Sequence, residues 1–477
     1  MSLSPQRFQV IALIVAAAFF MQNLDAAIIN TSLPQMAADF GVRALDLSAG
    51  ITAYVIAAAA CLPLSGWVAD RFGARRVFSL AIVVFTLASI GCGAARSLDG
   101  FMLARAVQGA GGALMAPVGR AVVLRHAAKS DLLRAIALIT WPALLAPILA
   151  PVIGGGITTF LSWRWNFLLN VPLGLAAVLL VRAYIPDEAP ASPRPLDLRG
   201  LALTSLSLVC LLYGLESLSG GRIDMRASLA LLGLGALAAR AAWRHLQRAV
   251  HPLLDLAPLR VPSFAAANAG AGLVFRTTIA ATPFLLPLLF QVAFGLTPLA
   301  SGWLIMVYFF GNLAMKPATS AIVRRYGFRR VLIVNGVLSG AAILACVSLN
   351  PHSAAALTLP VLLCAGLTRS MQFTCLNTLG FADLDQRLSS PGSTLASMLV
   401  QIAMAAGVAL SALMLHALPH LHGATLASLG DYRLAFAVVG LLGIASALRF
   451  TRLAPQIGAH VSGHAVAPHR PPSDEPP

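Results

Sequence analysis

Two charged side chains lie inside long apolar runs near the start of the chain, where they could handle a proton. Asp25 lies in the run over residues 9–31 and Arg105 in the run over 98–119. At 1.5 Å of helix rise per residue, each lies roughly 10 Å from the outer end of its own predicted helix. Because the two depths match, the side chains can pair. Burial favours the neutral carboxyl group and Arg105 favours the ionised one, so Asp25 can bind and release a proton. A static structural ion pair is the alternative.

Three basic side chains lie inside apolar runs of the second half of the chain. Arg276 and Arg369 are each near the middle of their runs, and Lys316 is closer to one end. A charge at mid-membrane depth costs at least about 2.5 kcal/mol, and these runs supply no acid to offset it. With Gln372 and Phe373 on the Arg369 face, these cations predict a cavity suited to a carboxylate ligand, because arginine offers a planar fork. Internal pairing to carbonyl groups is the alternative.

The chain as a whole is too apolar for a water-soluble globule. Of its 477 residues, 58% are hydrophobic and 10% are charged. A membrane-crossing helix needs about 20 mostly apolar residues. Fourteen runs meet this requirement, near 9–31, 46–67, 76–95, 98–119, 135–158, 166–185, 198–216, 227–243, 264–290, 299–320, 330–349, 355–378, 394–417 and 430–450. The sequence therefore predicts an all-α integral membrane protein with fourteen transmembrane helices.

The net charge of +16 is explained by topology and does not indicate nucleic-acid binding. With residue 1 in the cytoplasm, most of the 33 Lys and Arg residues fall in cytoplasmic tails and loops, as the positive-inside rule requires. We therefore expect both termini to be cytoplasmic and no nucleic-acid partner. The first run lacks a signal-peptide cleavage pattern and is predicted to be retained as a span.

Metal and disulfide chemistry are not expected. The six cysteines lie in or beside apolar runs without a C-x-x-C pair, which favours packing thiols. Three histidines of the last outer loop lack a helix that would align them, since Pro419 breaks it. The sequence predicts neither a metal site nor a cofactor.

A nine-residue phrase occurs twice between apolar runs. Residues 70–78 read Asp-Arg-Phe-Gly-Ala-Arg-Arg-Val-Phe, and residues 324–332 read Arg-Arg-Tyr-Gly-Phe-Arg-Arg-Val-Leu. Such an echo indicates two related halves, each a bundle of membrane helices. The second copy has Arg324 at the position of Asp70, so it keeps the turn but not the acid.

The repeat and the composition divide the chain into four predicted segments. Residues 1–185 form an N-terminal six-helix bundle, and residues 186–262 form a linker with two inserted transmembrane helices. Residues 263–452 form a C-terminal six-helix bundle, and residues 453–477, rich in Pro, Ala and His, form a disordered cytoplasmic tail. The inserted pair is expected to pack outside the path between the halves.

The first copy of the phrase resembles the G-x-x-x-D-R-x-G-x-R-R/K loop of the major facilitator superfamily. Its physics predicts a latch, because Gly66 lets helices approach, Asp70 can take a neighbouring arginine, and Gly73 permits a tight turn. An ordinary positive loop is the alternative. The predicted latch residues are Gly66, Asp70, Arg71, Gly73, Arg75 and Arg76.

Further motifs resemble the fourteen-span drug:proton antiporter branch of that superfamily. Residues 105–112 match R-x-x-Q-G-x-G-G and place Arg105, Gln108 and Gly112 on one helix face. Residues 24–34 resemble the first-span signature, and residues 163–174 match the W-R-W-x-F-x-x-N-x-P-x-G entry to span six. Because the face that carries Arg105 must point into the protein, Gln108 is included among the predicted cavity residues.

The antiporter signature of span five, G-x-x-x-G-P-x-x-G-G, is altered in this chain. Alanine replaces two glycines, but alanine still allows close helix packing and the proline still kinks the helix. The predicted hinge residues are Ala146, Ala150, Pro151, Gly154 and Gly155.

The resemblance implies the major facilitator fold and proton-coupled efflux of small molecules by alternating access. The C-terminal half is most similar to the MdtD type of exporter. This similarity implies multidrug export, or efflux of citrate or iron–citrate, as possible functions. The charge pattern favours an organic anion or metal–citrate cargo. Export of neutral or cationic drugs, or an organic-anion symporter or uniporter, is the alternative.

The expected partners are a small-molecule substrate, protons and the lipid bilayer of a bacterial inner membrane, with the protein as a monomer. An enzyme is disfavoured because no His/Asp or His/Glu pair lies in the spans.

Overall fold

The computed structural model describes most of the chain as helices. It covers residues 5–29, 32–42, 47–126, 132–187, 195–218, 225–296, 298–421, 423 and 427–462. Every regular element within these ranges is helical, so the predicted all-α class is confirmed.

Within the described ranges, the first half of the chain contains nine α-helices, with a 3₁₀ turn between α3 and α4. The helices are α1 (Pro5–Ile28), α2 (Leu33–Phe40), α3 (Ser48–Cys61), α4 (Ser65–Phe72), α5 (Ala74–Ala94), α6 (Leu98–His126), α7 (Leu132–Phe160), α8 (Arg164–Leu168) and α9 (Asn170–Tyr184). Within this half α1 packs against α7, and α6 packs against both α3 and α5.

Two helices follow and lead into the second half. They are α10 (Leu198–Ser217) and α11 (Met225–Arg248). The second half comprises α12 (Pro262–Asn268), α13 (Gly270–Leu288), α14 (Pro298–Ala314), α15 (Lys316–Ala345), α16 (Ala355–Ala382), α17 (Ser389–Leu421), α18 (Leu429–Arg449) and α19 (Ala459–Ser462). Here α13 packs against α17, and α16 packs against α14 and α15.

The predicted apolar runs fall on these helices. Twelve helices of the described ranges are long and apolar enough to cross a membrane. The shorter α14 continues into α15 because Met315 keeps helical backbone angles, and α15 itself breaks at Gly327. That break separates two of the predicted runs. The count of fourteen crossings stays a prediction.

The repeated phrase forms the same turn in both halves. Gly73 has φ 87° and ψ 133° between α4 and α5, and Gly327 has φ 72° and ψ 160° inside α15. These angles are open to glycine and strained for other residues. We call the end of the bundle where the two glycines lie the latch end, and the opposite end the far end.

The arginine two positions after each glycine makes an equivalent contact. Arg75 Nη2 donates to the carbonyl of Arg182 at 2.7 Å, near the end of α9. Arg329 Nη2 donates to the carbonyl of Thr451 at 2.8 Å, just beyond α18. Each arginine thus ties its turn to the last helix of its own half, where free carbonyl groups carry negative partial charge.

The two halves meet at the latch end. Ser65 Oγ lies 2.9 Å from Thr394 Oγ1, and Ser393 Oγ donates to the carbonyl of Pro117 at 2.8 Å. The largest apolar cluster lies here and contains Leu124 and Ile136 of the first half together with side chains of α12, α13 and α15 to α18. The described residues therefore form a latch end that is closed.

Apolar clusters toward the far end each belong to one half. One cluster joins α2 to α5, α6 and α8, and another joins α13, α14, α16 and α18. A third joins α1 and α7. Among the described residues, the mixed packing of the two halves is concentrated at the latch end and mid-height.

The inserted pair covers the seam between the halves on one side. Ser205 Oγ of α10 donates to the carbonyl of Ala60 at 2.6 Å, and Thr52 Oγ1 donates to Glu216 Oε1 at 3.2 Å. Leu208 and Leu212 of α10 pack against α3, α6 and α17. Helix α11 packs on α10.

The beginning of the predicted disordered tail is folded. Residues 453–462 include α19, and Ile457 and Val461 are buried in the cluster at the latch end. Disorder is thus the wrong prediction for these ten residues, because their apolar side chains find a surface to cover. Residues 463–477 lie outside the described residues.

Candidate functional site

Asp25 is the centre of a buried polar network in the first half. Its side chain is 1% exposed. Oδ2 accepts from Arg105 Nη1 at 2.7 Å, and Oδ1 accepts from Gln108 Nε2 at 2.9 Å and Asn170 Nδ2 at 2.8 Å. The structure therefore brings the predicted pair together, with both carboxylate oxygens satisfied by neighbouring helices.

Ser89 of α5 closes the network. Its Oγ accepts from Gln108 Nε2 at 2.7 Å and from Asn170 Nδ2 at 3.1 Å, and donates to the carbonyl of Phe85 at 2.9 Å. Asn170 belongs to the span-six motif, but sequence reasoning gave it no role. The four helices α1, α5, α6 and α9 are held together at Asp25.

Arg105 has a second contact beside its carboxylate partner. Its guanidinium carbon lies 4.5 Å from the centre of the Tyr54 ring, within cation–π range. Tyr54 OH accepts from Gln22 Nε2 at 3.3 Å, and the same amide donates to the carbonyl of Gly112 at 3.1 Å. Arg105 Nε has no partner among the described residues.

The predicted hinge lies in α7. Ala146 and Ala150 are fully buried and pack against Leu24 and Ile28 of α1. Small side chains permit this close approach next to Asp25. The other hinge residues predicted from the motif, Pro151, Gly154 and Gly155, also lie in α7.

A polar clamp holds α2 at the far end. Asp39 Oδ2 accepts from Trp163 Nε1 at 2.8 Å and also from Arg164, whose guanidinium stacks on the Trp163 ring. These hydrogen bonds, first that of Trp163 and then that of Arg164, lower the pKa of Asp39. The span-six motif therefore fixes α2 through its first two residues.

The predicted latch is assembled at the other end. Asp70 Oδ1 accepts from Arg125 Nη2 at 2.7 Å, at the end of α6. Gly66 lies against α17, where an added Cβ would be 3.0 Å from Thr394 Oγ1. Gly66 thus allows close approach of the two halves, and Asp70 ties α4 to α6.

The remaining arginines of the motif lie on the surface of the latch end. Arg76 Nη2 is 3.4 Å from Asp187 Oδ2, and both side chains are exposed. Arg71 is exposed as well. Such surface pairs contribute little to stability.

Arg276 is fully buried, and its partners are neutral. Nε donates to the carbonyl of Ala267 at 3.3 Å, which is available because the helix breaks before Gly270. Nη2 donates to Asn377 Oδ1 at 2.9 Å and lies 3.5 Å from Asn268 Oδ1, while Nη1 has no partner among the described residues.

Of the other predicted cavity cations, Arg369 belongs to α16 and Lys316 lies against it. Lys316 Nζ donates to Thr374 Oγ1 at 2.7 Å. The Arg369 guanidinium carbon lies 5.7 Å from the centre of the Tyr308 ring, and its Nε has no partner among the described residues. Lys316 and Arg369 are near enough for their charges to repel.

Of the two α16 side chains predicted beside these cations, one lies near the charges. Phe373 faces Arg276, with 5.7 Å between the ring centre and the guanidinium carbon. Gln372 is fully buried against α15, where Nε2 donates to the carbonyl of Leu332 at 3.1 Å and Oε1 accepts from Asn335 at 2.9 Å. The structure thus places Gln372 in helix packing and away from the predicted cavity.

Sequence reasoning missed a fourth basic residue of the interior. Arg120 lies in α6, one position past the end of the predicted run over residues 98–119. It is near enough to Arg276 for the two charges to repel. The signal available in the sequence was spacing, since Ala113, Pro117, Arg120 and Leu124 recur along one helix face.

The described residues contain no acidic partner within ion-pair distance of Arg120, Arg276, Lys316 or Arg369. They also contain no group of three His, Cys, Asp or Glu side chains that could hold a metal ion. The centre of the molecule thus combines one neutralised ion pair with four uncompensated cations.

Known proteins share both the sequence and the fold of this chain. The Major Facilitator Superfamily family model matches residues 15–408. MdtD of Serratia proteamaculans (strain 568), named for multidrug resistance, is 34% identical over 412 residues, covering 85% of each chain. MdtD of Escherichia coli O6:H1 is 35% identical over 407 residues, covering 84% of this chain and 85% of that protein.

Two solved structures share the fold at low sequence identity. The human organic anion transporter MFSD10 (TETRAN) has a TM-score of 0.63 and 15% identity, covering 94% of this chain and 100% of that one. The proton:xylose symporter XylE has a TM-score of 0.64 and 13% identity, covering 96% and 98%. The match over residues 15–408 and the relatives at 34–35% identity lead to one conclusion: the chain belongs to the major facilitator superfamily, as a multi-pass membrane transporter and not an enzyme.

Proposed function

We propose that this transporter exports small organic anions, such as citrate or a metal–citrate complex, in exchange for protons. It does so across the bacterial inner membrane with both termini in the cytoplasm. Residues 1–185 and 263–452 are the two bundles that rock in alternating access, and residues 186–262 supply the inserted pair. The observation that carries the cargo assignment is the set of uncompensated cations.

An anionic cargo resolves the electrostatics of the interior. Each of these cations is costly to bury, and neutral hydrogen-bond partners offset only part of that cost. Arg276 keeps an unpartnered Nη1 despite being fully buried. A carboxylate can accept from two guanidinium nitrogens at once, so it suits Arg276 and Arg369 better than a cation would.

Asp25 is the proposed proton carrier, with Arg105 as its positioning partner. Oδ1 already accepts two hydrogen bonds, and Oδ2 accepts only that of Arg105. A proton that adds at Oδ2 displaces Arg105 Nη1, which keeps its hydrogen bond to Gln108 Oε1 at 2.5 Å and its place on the Tyr54 ring. Proton binding therefore removes the ion pair between α1 and α6, while the hydrogen bond from Gln108 to Asp25 Oδ1 remains. Loss of that ion pair gives a route from protonation to helix movement.

The closed latch end identifies the state of the cycle. With the latch end in the cytoplasm, the contacts of Ser65 with Thr394 and of Ser393 with Pro117 close the cytoplasmic side. The molecule is then in an outward-facing state, ready to release cargo and accept a proton. Loss of the Asp70 ion pair to Arg125 accompanies opening on the cytoplasmic side in this scheme.

Export of neutral or cationic drugs is the second candidate. It is favoured by the multidrug-resistance name of the MdtD relatives. The two candidates differ in what they require of the buried arginines, since a cationic drug gains nothing from Arg276 or Arg369.

Proteoliposomes that contain the purified protein separate the candidates. With an imposed pH gradient, we expect uphill movement of radiolabelled citrate, and loss of most of this movement in Arg276→Gln and in Arg369→Gln. Drug movement should be less affected by either change. Arg240→Gln is the matched control, because Arg240 is exposed on α11 and lies outside both bundles.

Movement of cations alone, with both arginines dispensable, would overturn the anion assignment. Citrate movement that is independent of the pH gradient would support citrate as the cargo but would contradict proton coupling, because a uniporter gives that result.

A further inference from the structure

A cavity opens beside the end of α11, between that helix and the segment that leads into α12. Its volume is about 350 Å³, within the range of roughly 300–1,000 Å³ that is typical of small-ligand sites. Trp243 and Gln247 line it from α11, and Asp255, Leu256 and Arg260 line it from the following segment. None of the residues that line this cavity belongs to the candidate site described above.

Contacts behind the cavity hold its two walls together. Asp197, at the start of α10, has Oδ1 2.8 Å from His245 Nε2 of α11, and its Oδ2 accepts from the backbone N–H of Leu253 at 3.3 Å. Leu253 and Leu254 are buried in the apolar cluster at the latch end. The end of α11 and the segment after it are therefore both fixed to the fold, and the cavity lies at the latch end.

Two opposite charges line the cavity without pairing with each other. Asp255 Oδ1 accepts from the backbone N–H of Ala257 at 2.8 Å, and Oδ2 has no hydrogen-bond partner among the described residues. Arg260 is exposed and forms no ion pair with Asp255 or with any other acid in the described part of the chain. An unpaired carboxylate and an unpaired guanidinium in one cavity suit a ligand that carries both a cation and an anion.

The end of α11 has the features of a membrane–water boundary. This helix is long and apolar enough to cross a membrane, and Leu234 and Leu237 are exposed on it. Trp243 is also exposed, and Arg244 and Arg248 follow in the last turns. Because tryptophan and arginine at the end of an apolar helix mark the headgroup level, a lipid headgroup can reach the cavity while its acyl chains lie along α11.

We propose that this cavity binds a zwitterionic phospholipid whose headgroup ends in a primary ammonium, as in phosphatidylethanolamine. The phosphate accepts from Arg260, and the ammonium donates to Asp255. A phosphoglycerol headgroup has no cation for Asp255, and a phosphocholine headgroup has no N–H to donate. The assignment is independent of cargo and of proton coupling, because none of the residues proposed for those roles takes part.

Lipid titration of the delipidated full-length protein, followed by native mass spectrometry, tests the assignment. We expect phosphatidylethanolamine to bind at least about tenfold more tightly than phosphatidylcholine or phosphatidylglycerol with the same acyl chains. Glycerophosphoethanolamine has the same headgroup without chains and should compete only at far higher concentrations. Competition at the concentration of the lipid itself would assign the cavity to a soluble zwitterion and overturn the lipid assignment.

Two substitutions separate the two charge contacts. Asp255→Asn removes the charge but keeps an oxygen that can accept from Ala257, so the local turn is preserved. It should weaken phosphatidylethanolamine binding at least about tenfold and leave phosphatidylglycerol binding unchanged. Arg260→Gln should weaken binding of both lipids, whereas Arg260→Lys keeps the positive charge and should keep most of the binding.

Arg248→Gln is the matched control, because Arg248 is exposed at the end of α11 but does not line the cavity. It should bind the three lipids like the parent protein, and the thermal unfolding midpoint of each variant shows whether it is folded. Equal binding of the three lipids by the parent protein would overturn the proposal, and so would tighter binding of phosphatidylglycerol. Equal losses in Arg248→Gln and Arg260→Gln would indicate a general attraction to the basic surface and would also overturn it.

Discussion

Replacing Asp25 by asparagine should damage the buried network in a way that the structure makes quantitative. The carboxylate accepts from three donors, Arg105 at one oxygen and Gln108 and Asn170 at the other. An asparagine side chain offers a single acceptor oxygen, and its NH₂ group would face a donor. The substitution therefore leaves at least one buried donor N–H unpartnered and removes the negative charge that balances Arg105.

The expected loss is large because the site is dry. Asp25 and Arg105 are each 1% exposed. Removing one partner of a buried ion pair typically costs about 3–5 kcal/mol, since the other charge stays behind. Removing both partners in Asp25→Asn/Arg105→Gln avoids the stranded charge, so the double variant should be more stable than Asp25→Asn.

Denaturant unfolding of the detergent-solubilised protein, followed by tryptophan fluorescence, measures these differences as a double-mutant cycle. The control is Asp187→Asn, an exposed acid whose loss should change stability by less than about 0.5 kcal/mol. In proteoliposomes, uphill export should be lost in Asp25→Asn and should stay lost in the double variant, although the protein remains in the membrane.

Two results would refute the reasoning. If Asp25→Asn is as stable as the parent protein, or if the double variant is less stable than Asp25→Asn, the network does not depend on charge balance. If gradient-driven export persists at the parent rate in Asp25→Asn, this carboxylate is not the proton carrier.

Three more predictions concern the two ends of the molecule. Asp70→Asn removes the ion pair to α6 and should make cysteines at the latch end more reactive without abolishing cargo binding; an unchanged labelling pattern would contradict a latch. Gly66→Val puts a branched side chain against α17 and should lower, several-fold, disulfide cross-linking between cysteines placed at Ser65 and Thr394, whereas Gly66→Ala should have a smaller effect. Equal cross-linking with Gly, Ala or Val at residue 66 would show that the contact does not need glycine. Because the hydrogen bond from Trp163 lowers the pKa of Asp39 from its ordinary value of 3.8, the ionised form stabilises the fold above that value and the benefit disappears as the pH falls through the lowered pKa. The thermal stability advantage of the parent over Asp39→Asn should therefore be constant near neutral pH and shrink below about pH 4, and an advantage that grows on acidification would contradict this.

Much of the first half's site was predictable from the sequence. Asp25 and Arg105 are charges within apolar runs, and lipid would not tolerate either, so both had to face the protein interior. Their equal depth on two predicted helices made pairing the simplest solution. The motif around Gly73 likewise predicted a tight turn, and the glycine angles at residues 73 and 327 agree with two related turns.

The neighbours of these residues could not be predicted in the same way. Helix periodicity gives the face on which a side chain lies, but not which distant helix will pack there. Asn170 contacts Asp25, and Ser89 contacts Asn170, only because α9 and α5 come together around α1 and α6. Gln372 shares the face of Arg369 by spacing, yet its amide is taken up by Leu332 and Asn335 of α15.

The sequence by itself determined that this is an all-helical membrane protein with two related halves and with charges buried in its interior. Composition and run length decide the first property, and the repeated phrase decides the second. Only the tertiary structure decided that the latch end is closed and that the α6 face carrying Arg120 packs against the second half. Arg120 lies just past an apolar run and has the local pattern of a loop charge. Its partial burial arises from packing between halves more than 100 residues apart, and no local pattern encodes that contact.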